Sequence, residues 1–342
     1  MELERYLEDL EARLIPEQED AVLETWRQWA YHENTKGPFA GLPRRKMPAK
    51  LPWSEISVNQ ALRDDDCMLL SQFYRVHRAL EEGSAATLSV RANYGIGNVA
   101  TMFGAELFVM DEGMNTLPNV RALGPEKALA FASGKRPNPD AGNGEAIWRM
   151  ARQFAEIRSR YPRLAKYVRI EQPDLQGSMD NCELLIGSGI FYLLYDEPES
   201  VHALLRVVTD LLDQCISRWK ALFPREDGTC SYFRHVEKGG IAIRDDSGMN
   251  LSPDFFRDFI APYDGFLLKK HGGIVHFCGR GDHYIDILSR LEGLNGVNMS
   301  QPHLNDMNRI LSATADRGIN LSVSSPEIDL SGHDAARVVF LP

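Results

Sequence analysis

The chain has 342 residues, 44% apolar and 25% charged, with a formal net charge of -10 and a pI near 5.5. That is ordinary globular composition, long enough for one large barrel or two smaller domains. An acidic surface repels phosphate backbones, which argues against nucleic acid as a general partner while leaving room for a local basic pocket that holds an anionic small-molecule substrate.

The N-terminus, Met1 to Leu14, alternates acidic and apolar residues and lacks the basic start and apolar run of a signal peptide. No apolar stretch approaches the ~18 residues of a membrane span, so no membrane association is expected. The five cysteines, Cys67, Cys182, Cys215, Cys230 and Cys278, are odd in number and include no CxxC pair. They argue against a disulfide framework and fit a reducing, cytoplasmic compartment.

Helical periodicity runs over residues 2–13 and 17–31, with Leu3, Leu7, Leu10 and Leu14 on one face. A loop from about His32 to Pro52 carries the basic run Arg44-Arg45-Lys46, which reads either as a solvated loop or as a flap over an anionic ligand. A further helix over 60–82 ends at Gly83. Residues 1–82 are therefore expected to form a helical extension packed on the rest of the chain.

From Thr87 onward, short β-prone runs alternate with amphipathic ones. Expected strands are Thr87–Asn93, Leu107–Met110, Tyr167–Ile170, Cys230–His235 with Ile241–Arg244, Ile274–Phe277, Gly296–Met299 and Ile319–Val323. Expected helices are Ala146–Tyr161, Cys182–Tyr195, Glu199–Leu222, Pro253–Lys270, Tyr284–Leu291 and Met307–Ala315. Ser252 before Pro253 is a helix start of the usual kind. This alternation predicts an α/β fold with a parallel sheet. The segment Arg91-Ala92-Asn93-Tyr94-Gly95-Ile96-Gly97 lacks the third glycine of a dinucleotide fingerprint, which favours a closed (β/α)8 TIM barrel over residues 83–342 against an open doubly wound sheet. No nucleotide, haem or pyridoxal phosphate is expected.

In such a barrel the reactive groups lie just past the C-terminal ends of strands. His276 and Cys278 are two residues apart on a strand and project together, an imidazole and a thiol suited to Zn2+. Asp245 and Asp246 end another strand and point to opposite faces, so one of them is expected to enter the site. His235 shares a face with Glu237. Glu171 ends the strand from Tyr167, and Glu327 is the strong metal ligand nearest the last strand end. His303 is another arm to consider.

Ile241-Ala242-Ile243-Arg244-Asp245-Asp246, Leu251-Ser252-Pro253-Asp254-Phe255-Phe256, Phe259-Ile260-Ala261-Pro262-Tyr263 and His276-Phe277-Cys278-Gly279 together resemble the uroporphyrinogen decarboxylase superfamily. So does the stretch from Leu194 to Leu205. The resemblance covers roughly Tyr167 to Leu330. It implies a (β/α)8 barrel and, through the H-x-C pair, the zinc-dependent methyltransferase branch that serves corrinoid proteins or thiol acceptors. That branch usually adds a cysteine near the last strand. No cysteine follows Cys278, so Glu327 is taken as the third metal arm beside His276 and Cys278. Asp245, Asp246, His235 and Glu171 are then the residues to orient substrate or move protons. The partners implied are a small-molecule substrate and a corrinoid protein; an oligomer is compatible with the sequence. The alternatives are a uroporphyrinogen decarboxylase-like carboxy-lyase, for which the cationic groups that would hold acid side chains are not evident, and a non-catalytic binding subunit of a corrinoid system.

Overall fold

The computed structural model describes residues 2–341. Its centre is a parallel five-stranded sheet. In chain order the strands are β1 (Ser89–Val90), β2 (Glu106–Phe108), β3 (Asn119–Arg121), β4 (Arg169–Ile170), β5 (Thr229–Tyr232), β6 (His235–Lys238), β7 (Ile241–Arg244), β8 (Gly273–Phe277), β9 (Leu294–Met299), β10 (Asn320–Val323) and β11 (Val338–Phe340). The sheet runs β7-β8-β9-β10-β11, all parallel, and β1 pairs with β4 in a separate parallel ladder. Strands β8 to β10 are buried along their length, as parallel strands covered by helices must be.

The molecule is thus mixed α/β, but among the described residues no hydrogen-bond ladder closes the sheet into the expected eight-stranded barrel. The chain from Gln172 to Gly177 runs beside β7 and touches it through single bonds, Gln172 Nε2 to Ala242 O and Gly177 N to Arg244 O, in place of a strand pairing. At the other edge, Phe39 bridges to Val339 and its N–H bonds Val338 O, so a piece of the N-terminal loop covers β11.

Two expected strands have other roles. Leu107–Met110 falls in β2, which pairs antiparallel with β3 as an outlying hairpin. The Cys230–His235 run is cut by a two-residue turn into the antiparallel pair β5-β6. This hairpin packs against β8 and β9, where Glu237 accepts from Trp29 Nε1 and from Asn320 Nδ2. Long helices also break where glycine or proline intervenes. The Cys182–Tyr195 helix becomes Ser178–Ile186 and Ile190–Asp196 about Gly187, and the Pro253–Lys270 helix becomes Pro253–Phe259 and Ala261–His271, with Pro262 in the first turn of the second.

The N-terminal helices Glu2–Arg13 and Asp65–Glu82 contribute Leu7, Leu10, Leu14, Met68 and Phe73 to one core with Val90, Ile243, Val275 and Leu321. The basic run is not a flap. Arg44 is buried and bonds Glu19 twice over, with Ser84 O and Ala86 O as further acceptors. No helix among the described residues is long and apolar enough to cross a membrane.

Candidate metal centre

Strand β8 delivers His276 to the C-terminal edge of the sheet, beside Arg244 of β7 and Asn298 of β9 in register. The ring of His276 is buried, and its Nδ1 lies 2.5 Å from Asn298 Oδ1. The amide of Asn298 cannot be turned around freely, because its Nδ2 donates to both the carbonyl and the hydroxyl of Ser322. Oδ1 therefore faces the imidazole, Nδ1 must carry the proton, and the lone pair is left on Nε2. Burial pushes the pKa of His276 down, which favours the same neutral ring.

Nε2 points toward two further ligands. Cys278 Sγ is 3.4 Å away and Asp246 Oδ1 is 3.8 Å away. Asp246, His276 and Cys278 each offer an atom within 4.8 Å of the others. Tetrahedral zinc with bonds of about 2.05 Å to nitrogen and oxygen and about 2.3 Å to sulfur would need N···S near 3.6 Å and N···O near 3.3 Å. The two spacings from Nε2 differ from these by up to about half an ångström, so a small adjustment lets the donor set hold a three-armed tetrahedral metal with a fourth position left over. Two sets of bonds brace it. Cys278 N donates to Asp246 Oδ1 at 2.6 Å, and the Asp246 and Ser247 N–H groups donate to Asp180 at 2.9 and 2.8 Å. Burial raises the thiol pKa of Cys278, with the Asp246 charge adding to it, so a metal would have to displace a proton to bind sulfur.

The third arm within reach is Asp246, not Glu327. Glu327 lies exposed in the loop after β10, its N–H bonded to Ser325 Oγ, and is not among the clustered donors. His303 is likewise exposed. The neighbouring aspartates, just past the end of β7, point different ways because the chain turns into a short helix at Asp246. Asp246 is half-exposed at the mouth, whereas Asp245 is buried against Gly177 and the carboxyl of Asp264. No donor from any other described residue satisfies either carboxyl of that pair. Burial, then mutual repulsion, raises Asp245 far above the carboxylate range, and burial lifts Asp264 to about 6. Asp245 thus belongs to the layer between sheet and helices rather than to the metal group.

His235 and Glu237 do share a face, 3.4 Å apart, but they sit on the hairpin, fully buried beside Trp26 and Trp29. Glu171 is buried as well and accepts from Ser89 Oγ at 2.6 Å. Neither is in the metal group.

Sequence reading missed the cations. Arg244 pairs with Asp174 at 2.7 Å, and Arg91 lies 4.0 Å from the same carboxylate, so one aspartate serves two guanidinium groups. A cavity of about 380 Å³ beside the metal group is lined by Asn298 and Ser300, which touch His276 and Cys278, and by Arg75, Phe233, Arg234 and Ser324. Among the described residues Arg75 and Arg234 have no ion pair. A second cavity of about 420 Å³ opens on Asp246 from the other side, lined by Gln176, Asp180, Glu183 and Asn250. Asn298 had a signal in the sequence, as an amide between the apolar Val297 and Met299 at the end of an expected strand. Arg75 had none, since it is one of many charged residues on an N-terminal helix.

No protein-family model matches the chain, and no curated protein sequence matches it. Among solved structures, its fold is similar to that of a methyltransferase from Methanosarcina mazei, with a TM-score of 0.62 and 14% sequence identity over 91% of this chain and 85% of that one.

Proposed function

We propose that this chain is a metal-dependent methyltransferase of the uroporphyrinogen decarboxylase type, built on an irregular (β/α) barrel, with zinc held by Asp246, His276 and Cys278. The observation that carries the reading is the convergence of those three donors at the C-terminal edge of the sheet, with the His276 tautomer locked by Asn298. The fold likeness to a methyltransferase supports it.

The chemistry zinc supplies when bound is Lewis acidity, which lowers the pKa of a thiol or oxygen at the remaining position. The chain's own groups do the rest. Asn298 keeps the His276 lone pair on Nε2. Asp246 holds the Cys278 amide and so fixes the loop that carries the sulfur. Arg75 and Arg234 hold an anionic group of the small-molecule substrate, and Phe233 walls the same cavity against water. The methyl donor is a corrinoid protein docked at the open mouth.

The test is zinc content after purification without chelator. Wild type should carry close to one zinc per chain, and Cys278→Ser should lose most of it, because a hydroxyl is a far poorer zinc ligand than a thiolate. Wild-type protein that neither holds zinc nor takes it up would sink the reading. It would leave a carboxy-lyase, which the convergence of Arg75, Arg91, Arg234 and Arg244 favours, since a polycarboxylate needs such cations.

A further inference from the structure

A third cavity, of about 360 Å³, lies at the opposite end of the strands. Its walls include Gly239 and Gly240, which precede β7, and His271, which precedes β8. His276 lies five residues further along β8, roughly 16 Å at ~3.3 Å per residue. The metal group and this cavity are therefore separated by the length of the sheet.

One side of the cavity is apolar, formed by Trp219, Phe223 and Ile170. The polar side is unfinished. Trp219 Nε1 and Ser231 Oγ, on residues 4% and 7% exposed, have no hydrogen-bond partner among the described residues. Among the described residues the guanidinium of Arg225 forms no ion pair either: Asp227, the carboxylate that acts on it, is already bonded to Arg169 and Thr229. Burial, with Arg169 as a like charge, pulls the pKa of Arg225 down to about 9. Lys220 adds a second cation, 3.4 Å from His271 Nδ1, while His271 Nε2 is engaged by Asp213. Cys230 also lines the space, but its thiol is pushed up to about 12 by burial and donates to Ile241 O, so it offers no nucleophile.

Buried donors and a desolvated cation are costly when left unmatched. A ligand that matched the cation would have a flat apolar body against Trp219 and Phe223 and one acidic group between Arg225 and Lys220. The volume is at the lower end of the roughly 300–1,000 Å³ usual for small-molecule sites. We propose that this cavity is a second binding site for a small amphipathic monoanion, an aromatic carboxylate or sulfonate, separate from the metal group.

The probe is 3-phenylpropionate, titrated calorimetrically into the full chain, with 3-phenylpropanamide as its neutral counterpart. One saturable site is expected for the acid, with the amide at least tenfold weaker. Arg225→Gln should weaken the acid at least tenfold and bring it level with the amide. Trp219→Phe, which shrinks the aromatic wall and removes the N–H, should weaken both probes. Arg234→Gln and Cys278→Ser, at the metal end, should leave binding unchanged; circular dichroism and melting temperature check that all variants fold. The proposal is overturned by absence of saturable binding to wild type, by binding that Arg225→Gln leaves intact, or by binding lost in Arg234→Gln, which would place the probe in the cavity beside the metal group. None of these readouts depends on zinc.

Discussion

Asn298 does at the residue scale what the candidate metal donors cannot do for themselves. It accepts the Nδ1 proton of His276 and is itself held by Ser322, so the ligand nitrogen is presented without choice of tautomer or ring angle. Such outer partners are worth roughly 10–100-fold in metal affinity. Asn298→Ala should therefore weaken zinc binding by about that factor in a competitive chelator titration while the fold survives; an unchanged affinity would mean that the tautomer is set by something else. Asp246→Asn should weaken binding in the same assay, and Glu327→Gln should not, given the exposed position of Glu327. The H-x-C pair was legible because a two-residue spacing on a strand fixes a shared face whatever the surrounding fold does. The third arm was not legible. Asp245 and Asp246 are chemically identical neighbours, and only the packing of Asp245 against Gly177 and Asp264 shows which one is left for the site.

The β5-β6 hairpin decides at the element scale what fills the interior under the metal group. Its turn residues, Phe233 and Arg234, both have positive φ, 43° and 67°, as a tight hairpin of this twist requires. Asn and Gly are the usual occupants, and a bulky side chain there costs of order 1–3 kcal/mol. The strain coincides with position: Phe233 meets the His276 ring edge-on at 5.4 Å and lies under the Arg244 guanidinium, and Arg234 lines the cavity beside the metal group. Arg234→Gly should raise unfolding free energy by about 1 kcal/mol in urea titrations and weaken binding of an anionic substrate; destabilisation instead would show that Arg234 makes net favourable contacts. The sequence hid this hairpin because Cys230–His235 reads as one apolar strand when neither turn residue is a turn former. The parallel strands β8, β9 and β10 were legible as short runs with Ile274, Val275, Val297, Leu321 and Val323 at their centres, set between helical stretches. β11 was not, since three residues near the C-terminus carry too little pattern. A different element-scale tie holds the N-terminal helices, the buried pair of Arg44 with Glu19. Arg44→Ala strands a buried carboxylate and should cost about 3–5 kcal/mol, read in the same titrations.

Acidity is distributed unevenly over the whole molecule. The net charge of -10 is spread over the surface, while three aspartates, Asp180, Asp245 and Asp264, are buried together behind the metal group. Burial is the main cause of the raised pKa of each, and their mutual charges add to it for Asp180 and Asp245. A carboxyl whose folded pKa lies above its unfolded value favours folding while protonated. Its stabilising contribution is complete below the unfolded value near 3.8 and is lost as pH rises through the folded value, about 6 for Asp264. Surface carboxylates bonded to arginine work in the opposite direction: Asp65, lowered mainly by its Arg149 bond, gains stability above the unfolded value. The buried cluster should therefore bend the stability profile downward between about pH 4 and pH 7, against the rise that paired surface acids would give alone. Asp264→Asn removes one proton-linked member without changing side-chain volume, and should flatten that descent, with the largest gain, on the order of 2–3 kcal/mol, at about pH 8. Urea titrations at about pH 5 and pH 8 on wild type and Asp264→Asn measure it, in metal-free protein so that zinc linkage does not enter. If the two proteins differ equally at both pH values, the cluster is not the source of the slope.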